Sequence, residues 1–331
     1  MSDVIEDRRL MQAVWLDRAL SWRSDVLRPL PAAGEALIRV RLAGICATDL
    51  ELRKGYAGFC GIPGHEFVGE VVDVADPAQS DWLERRVVGD INLACGCCDA
   101  CRRNLSKHCR QRQVLGIRHK SGVFAQYCTL PVSNLQSVPD TVRDTQAVFA
   151  EPLAAALAVQ AHLPSPEGCE PVAVLGAGRL GLLIAATLRL AGYSVVVLGR
   201  SQASRLLPQR WGLTVLDITA QPEQSFSWLV DASGCAEGLR QALRCLRPQG
   251  TLILKSTYAE PEPLDLQRVV VAELRLIGSR CGSLAQAVAL LAQQVLPVEE
   301  LIEACYRLDE AELAFQHAAQ PGVKKIVFRP D

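Results

Sequence analysis

Four apolar residues, Val172-Ala173-Val174-Leu175, run straight into Gly176-Ala177-Gly178-Arg179-Leu180-Gly181, and an apolar helical pattern follows over 180–191. This succession of strand, glycine loop and helix constrains the fold more than any other feature. The first glycine makes the tight turn, the second lets a pyrophosphate approach the backbone, and the third lets the helix pack on the strand. The helix start presents N–H groups and the positive end of its dipole to phosphate. A dinucleotide is implied, held at Gly176, Gly178, Arg179, Leu180 and Gly181. Further β-like runs follow at 194–198, 227–230, 251–254 and 274–278, with helical stretches between them. Continuous apolar strands alternating with helices predict an α/β fold with a parallel sheet covered on both faces.

The end of the second strand discriminates between cofactors. NAD sites place an acid there, ~20 residues on, to bond the ribose 2′-hydroxyl. Here Leu198 is followed by Gly199, Arg200 and Ser201. Gly199 replaces the acid, Arg200 offers a guanidinium fork and Ser201 a hydroxyl, both suited to a 2′-phosphate. Arg205 adds charge nearby. The expectation is NADP(H) in preference to NAD(H).

The chain has 13 cysteines, five of them between Cys95 and Cys109. The N-terminus, 1–9, is charged and has no apolar core, so no signal peptide is read and a cytoplasmic protein is expected. In a reducing compartment such a cluster points to metal rather than to disulfides. Cys95, Cys98, Cys101 and Cys109 read as C-x2-C-x2-C-x7-C, in a polar stretch that needs something to hold it. Four thiolates close a tetrahedral structural zinc site, and they also suit an iron–sulfur cluster. Cys97 falls outside the spacing.

The 331 residues suggest two domains. Residues 1–150 are rich in short β-like runs punctuated by Gly and Pro, as in 36–42, 67–74 and 124–130, which predicts an irregular β-barrel. A helix with Pro152 at its first position follows over 152–163. The chain closes with helices near 284–294 and 308–319 and a strand, Lys325-Ile326-Val327-Phe328.

Three more motifs lie far apart: Gly44-Ile45-Cys46-Ala47-Thr48-Asp49-Leu50, Gly64-His65-Glu66 and Glu151-Pro152-Leu153. With the four-cysteine lobe and the glycine loop, in this order, they make the chain resemble the zinc-dependent medium-chain dehydrogenase/reductase superfamily over nearly its whole length. Its motifs are nearest to the polyol, threonine and glucose dehydrogenase branches, since Glu151 stands where the long-chain alcohol branch has Cys.

The resemblance implies a Rossmann sheet for the cofactor over 152–284. It implies a GroES-like catalytic domain over 1–151, with the structural lobe at 95–109 and a return over 285–331. It further implies a catalytic zinc on Cys46 and His65, with Glu66 and Glu151 as the carboxylates, one or the other bound directly or through water. Zinc would take the substrate oxygen at an open position and act as a Lewis acid. Asp49 would orient His65, and Thr48 would bond the substrate oxygen and begin a proton relay. Where many relatives continue that relay with His, this chain has Glu51, suited equally to a water-mediated relay or to the surface. Ser233, Lys255, Ser256 and Arg280 fall in later cofactor loops; a structural role suits Lys255 and Arg280 equally. Relatives are dimers or tetramers, so a homo-oligomer is expected on this ground alone.

The function implied is hydride transfer between NADP(H) and a small alcohol/carbonyl pair, a polyol, sugar or secondary alcohol. The alternative is a non-catalytic NADPH-binding sensor or scaffold, against which the complete set Cys46, His65, Glu66 and Glu151 argues. A formal charge of −1 gives no general attraction to nucleic acid or anionic membrane. The seven Lys and Arg between 102 and 120 lack the interleaved aromatics of a nucleic-acid surface. The most apolar stretch, 172–198, is broken by Arg179, Arg189 and glycines and does not make a membrane span.

Overall fold

The computed structural model describes residues 10–257 and 263–330; the terminus from which the missing signal peptide is read lies outside them. The chain divides into two compact units, Met1–Glu151 with Val288–Asp331, and Pro152–Ala287.

The second unit holds the parallel sheet that the alternating pattern predicts. Six strands run in the spatial order Thr214–Asp217, Val195–Gly199, Val172–Leu175, Phe226–Asp231, Leu246–Leu254, Arg275–Gly278. Every neighbouring pair is parallel. The order reverses at Val172–Leu175, and such a switch point is where open α/β sheets bind ligands. The helix Arg179–Leu190 is buried on nearly all its faces, from Gly181 to Leu188. Its sequence, LGLLIAATL, has no polar stripe because it has no water to face.

The first unit is built on a seven-stranded sheet around the long strand Glu35–Gly44. That strand pairs with Glu66–Val74 on one side and with Tyr127–Pro131 and then Lys325–Arg329 on the other. Beneath it, Phe124 meets Phe328 and Phe315 edge-on, with ring centroids 5.0 and 6.0 Å apart. All three rings are fully buried. Such pairs contribute ~0.5–1.5 kcal/mol beyond their buried area. The cysteine-bearing stretch stands beside a small sheet of Asn92–Leu93, Gln113–Leu115 and His119–Lys120.

Several elements differ from the sequence reading. The helix read from Pro152 begins at Ala150 and ends at Leu157, continuing as a tighter 3-10 turn to His162. The strand read from 124 starts at Tyr127. The hairpin Leu10–Asp17 with Ala19–Leu27 was not anticipated, because its second strand is largely exposed and carries no apolar alternation. Among the described residues no helix is long and apolar enough to cross a membrane.

Lys120 ties the small sheet to the large one. Its ammonium donates to Glu35 Oε1 at 2.6 Å and to Thr129 Oγ1 at 3.0 Å. Burial pushes the Glu35 pKa up, but the hydrogen bonds and charge of Lys120 outweigh it, with the Ala32 N–H helping, and hold it below the usual range. A depressed carboxylate adds stability above its unfolded pKa and loses it as pH falls through the folded value. Lys120→Met should therefore destabilise the protein by about 1–3 kcal/mol at pH 7. In urea unfolding, the gap between variant and parent should close below about pH 4.

Candidate metal centre and dinucleotide loop

Three ligand-type side chains converge where the long strand ends. The ligand atoms of Cys46, His65 and Glu66 all lie within 4.8 Å of one another. Cys46 caps the helix Ala47–Arg53, which follows the strand directly. His65 immediately precedes the neighbouring strand, which begins at Glu66, paired with Gly44. Gly64 makes that entry possible: its φ is +95°, and a Cβ there would stand 2.5 Å from the Phe124 ring.

Asp49, fully buried, serves two partners. Its Oδ2 accepts the Cys46 N–H at 2.7 Å, and its Oδ1 lies 3.4 Å from His65 Nδ1. With Nδ1 turned to the carboxylate, Nε2 is the nitrogen left for a metal. Burial opposes a charged imidazole, yet Asp49 and then Cys46 outweigh it and hold the His65 pKa well above its ordinary value. The Cys46 thiol donates to Thr48 Oγ1 at 3.9 Å, so this hydroxyl borders the centre. Glu51, one turn on, accepts from Lys54 Nζ at 2.8 Å. Glu151 is the second residue of the helix Ala150–Leu157 and is not part of the three-residue group.

Sequence reasoning missed Lys325. Its ammonium pairs with Glu66 Oε2 and donates to the Ile45 carbonyl at 3.2 Å, and both charged side chains are only 2% exposed. Gly44 lies between them: a Cβ there would be 2.8 Å from Glu66 Oε2 and 3.3 Å from Lys325 Cδ. The available signal was a cation inside the final apolar strand, all of whose residues but the last are buried.

The second cluster is the cysteine lobe. Ligand atoms of Cys95, Cys98, Cys101 and Cys109 lie within 4.8 Å of one another. Cys95 Sγ is 3.5 Å from Cys109 Sγ and 4.0 Å from Cys101 Sγ, and Cys98 Sγ is 3.5 Å from Cys101 Sγ. Backbone N–H groups, that of Cys97 first and that of Cys98 next, pull the Cys95 thiol down to about 6. Cys101 is pushed up to about 12, by burial first and then by its sulfur neighbours. Four sulfurs at these separations fit one tetrahedral ion, and sulfur-only donation suits zinc. The mixed sulfur, nitrogen and oxygen set around Cys46 fits a zinc with an exchangeable position.

In the second unit the glycine loop is tightly closed. Gly176 has φ +110°, and a Cβ on it would lie 2.5 Å from the Ala232 carbonyl. A Cβ on Gly181 would stand 1.8 Å from Gly176 O, whereas at Gly178, ahead of Arg179 and Leu180, nothing lies within 4 Å. Helix and turn touch, and the helix start is left open, as a bound pyrophosphate requires.

The neighbouring strand end is more occupied than its sequence suggested. A Cβ at Gly199 would be 2.9 Å from Arg205 Cγ, so the space the glycine leaves is taken by that arginine's stem. Arg205 reaches Asp217 Oδ2 at 3.5 Å and donates to the Ser201 carbonyl at 3.3 Å. Ser201 caps the helix Gln202–Arg210, its Oγ accepting the Ser204 N–H at 3.2 Å. Arg200 is exposed. The later loops are stitched together at adjacent strand ends. Ser233 N donates to Asp231 Oδ1 at 3.0 Å and Gly234 N to Ser256 Oγ at 2.9 Å. Lys255 Nζ donates to the carbonyls of Ala155 at 2.9 Å and Arg280 at 2.8 Å, which serves the fold.

Residues 32–140 match the family model described as the alcohol dehydrogenase GroES-like domain. L-threonine 3-dehydrogenase of Streptomyces coelicolor is 31% identical over 92% of this chain and 95% of its own length. D-altritol 5-dehydrogenase of Agrobacterium fabrum is 29% identical over 92% and 96%. A structure described as a zinc-binding dehydrogenase of Sinorhizobium meliloti 1021, bound to NADP, superposes with a TM-score of 0.87. It is 27% identical and covers 98% of this chain and 100% of its own.

Two measurements check the site. Lys325→Met leaves Glu66 buried without its cation and should cost about 3–5 kcal/mol in unfolding free energy; a loss below 1 kcal/mol would show the carboxylate relaxing to water. Elemental analysis should find two zinc ions per chain, and Cys101→Ser should remove one and leave the other.

Proposed function

The chain belongs to the zinc-type medium-chain alcohol dehydrogenase family, and we propose that it moves hydride between NADP(H) and the alcohol/carbonyl pair of a polyol, sugar or secondary alcohol. The observation that carries the reading is the convergence of Cys46, His65 and Glu66 beside a threonine hydroxyl. An alcohol dehydrogenase-type oxidoreductase is what the family performs, and the similarity to threonine and altritol dehydrogenases supports a small hydroxylated substrate. The sensor or scaffold reading gains nothing from these relatives.

Zinc, when bound, supplies a Lewis acid that lowers the alcohol pKa and polarises the carbonyl. Cys46 and His65 would hold it, with Glu66 as the third donor and Glu151 as the alternative carboxylate. Asp49 fixes the imidazole through its outer nitrogen, so that His65 binds as the neutral tautomer. Thr48 would accept the alcohol proton and pass it on, to Glu51 through water or to the ribose. The glycine loop and the N–H groups of the helix beginning at Arg179 would hold the pyrophosphate. Ser233 and Ser256 would line the cofactor's path at the strand ends. Arg200 is the cation proposed for the 2′-phosphate, with Arg205 and Ser201 shaping the turn beneath it. The NADP bound to the Sinorhizobium relative supports that choice. A dimer or tetramer is the assembly proposed.

Initial rates over sugars, polyols and simple alcohols test the reading. Turnover should require zinc and should fall at least a thousandfold in Cys46→Ala, which should still bind NADPH. Arg200→Ala should raise KM for NADP+ about 10- to 100-fold, the worth of one charge-assisted hydrogen bond, and leave KM for NAD+ within twofold. Equal preference for the two cofactors in the parent would overturn the assignment of Arg200.

A further inference from the structure

The cysteine lobe has one sulfur more than a tetrahedral ion uses. Cys97 is outside the four-ligand group, yet its thiol donates to Cys95 Sγ at 3.6 Å. The contact is as short as those between the ligand cysteines themselves, which run from 3.5 to 4.0 Å. Gly96 between the two adopts a left-handed turn, φ +73°, with nothing beyond its chain neighbours within 4 Å of where a Cβ would stand. Cys97 is exposed, whereas Cys95, Cys98 and Cys101 are half-buried and Cys109 is buried. Arg102 fixes the segment by donating to the Cys97 carbonyl at 2.8 Å.

We propose that Cys97 is an oxidative modification site: a hydroperoxide converts it to a disulfide with Cys95, which takes one ligand from the lobe and releases its zinc. The inference rests on the reading of the lobe as a zinc site. The chemistry is balanced by the peroxide. The Cys97 thiol gives up its proton and the thiolate attacks one peroxide oxygen. The S–O bond forms, the O–O bond breaks, and for hydrogen peroxide the released hydroxide takes that proton and leaves as one water, giving a sulfenic acid. The Cys95 thiolate then attacks the sulfenic sulfur; the S–S bond forms, the S–O bond breaks, and the hydroxide takes a proton to leave as a second water. Two thiols are oxidised by two electrons and one peroxide is reduced.

The order of events follows from position. Four sulfurs are committed as ligands when the ion is bound, and the fifth is uncommitted and open to solvent. Its resolving partner is already in contact. The disulfide would close a loop containing only Gly96, and strained disulfides of this kind are readily reversed by thiols. Three thiolates remain, too few to close the site.

The test uses the full-length zinc-loaded protein, titrated with hydrogen peroxide in the presence of a chromogenic zinc chelator. Remaining thiols are then alkylated, and the peptides are mapped without reduction. The parent should release one zinc per chain together with a Cys95–Cys97 disulfide, and dithiothreitol with zinc should restore both thiols and metal. Cys97→Ser and Cys97→Ala should release that zinc at least tenfold more slowly. Equal release from the variants, or a disulfide that omits Cys97, overturns the proposal. Absence of zinc from the untreated lobe, with Cys101→Ser losing none, overturns the metal reading instead; the peptide map still decides whether Cys97 and Cys95 pair.

Discussion

A carboxylate and an ammonium, both almost wholly out of water, face each other across a glycine at the centre of the first unit. Dehydrating two ions costs several kcal/mol each, and their attraction in the interior roughly offsets this only with good geometry. The Glu66–Lys325 pair is therefore a weak source of net stability. Its consequence is placement. Lys325 belongs to the last strand of the chain and Glu66 to a strand laid down some 260 residues earlier in sequence. A slip of either strand by one residue would turn one ion to the other face of the sheet and leave its partner buried and unpaired. The same register sets Gly44 opposite Glu66, and Cys46 and His65 beside them. The pair thus couples the closure of the C-terminal strand to the grouping of the side chains proposed to hold metal.

The cysteine lobe solves the opposite problem. It has few large apolar side chains to bury, and Arg102, Arg103 and Arg110 face solvent around it. A segment of this composition cannot offset its conformational entropy by hydrophobic burial. Converging thiols offer a substitute, because the binding energy of a metal held there would be folding energy. The backbone contributes too, through the N–H groups of Cys97 and Cys98 that stabilise the Cys95 thiolate. The same crowding of sulfurs places the Cys97 thiol against Cys95, the contact on which the proposed oxidation rests.

Local periodicity made most of the fold legible. Runs such as Val172–Leu175 are apolar on both faces and can only be interior strands, and the glycines at 176, 178 and 181 leave one sensible turn. The four-cysteine lobe was legible for a different reason, because residue types at fixed spacing carry coordination chemistry, whereas the grouping of Cys46 with His65, far apart in sequence, came only through the family resemblance. What escaped depended on tertiary contact. The strand Ala19–Leu27 shows no alternation because nearly every residue is exposed on both faces. Lys325 was invisible as a site residue because a lysine in a strand ordinarily points to water, and only the partner Glu66 makes its burial tolerable.

At the end of the second strand of the parallel sheet, the sequence pattern and the packing differ. A glycine in place of an acid reads as room for a 2′-phosphate. In the folded unit that room holds the methylene stem of Arg205, whose guanidinium is turned toward Asp217 on the next strand. The acid missing from position 199 reappears one strand over, opposite Gly199 in the register. Asp217 is itself held ionised, chiefly by hydrogen bonds from Thr219, so Arg205 is neutralised before any ligand arrives. Of the two arginines on this turn, Arg205 is the one tied to a carboxylate on the next strand, whereas Arg200 is exposed and its charge is felt by Glu237. The discrimination by charge that we propose for Arg200 would then act with Arg205 and Ser201 setting the shape of the turn that presents it.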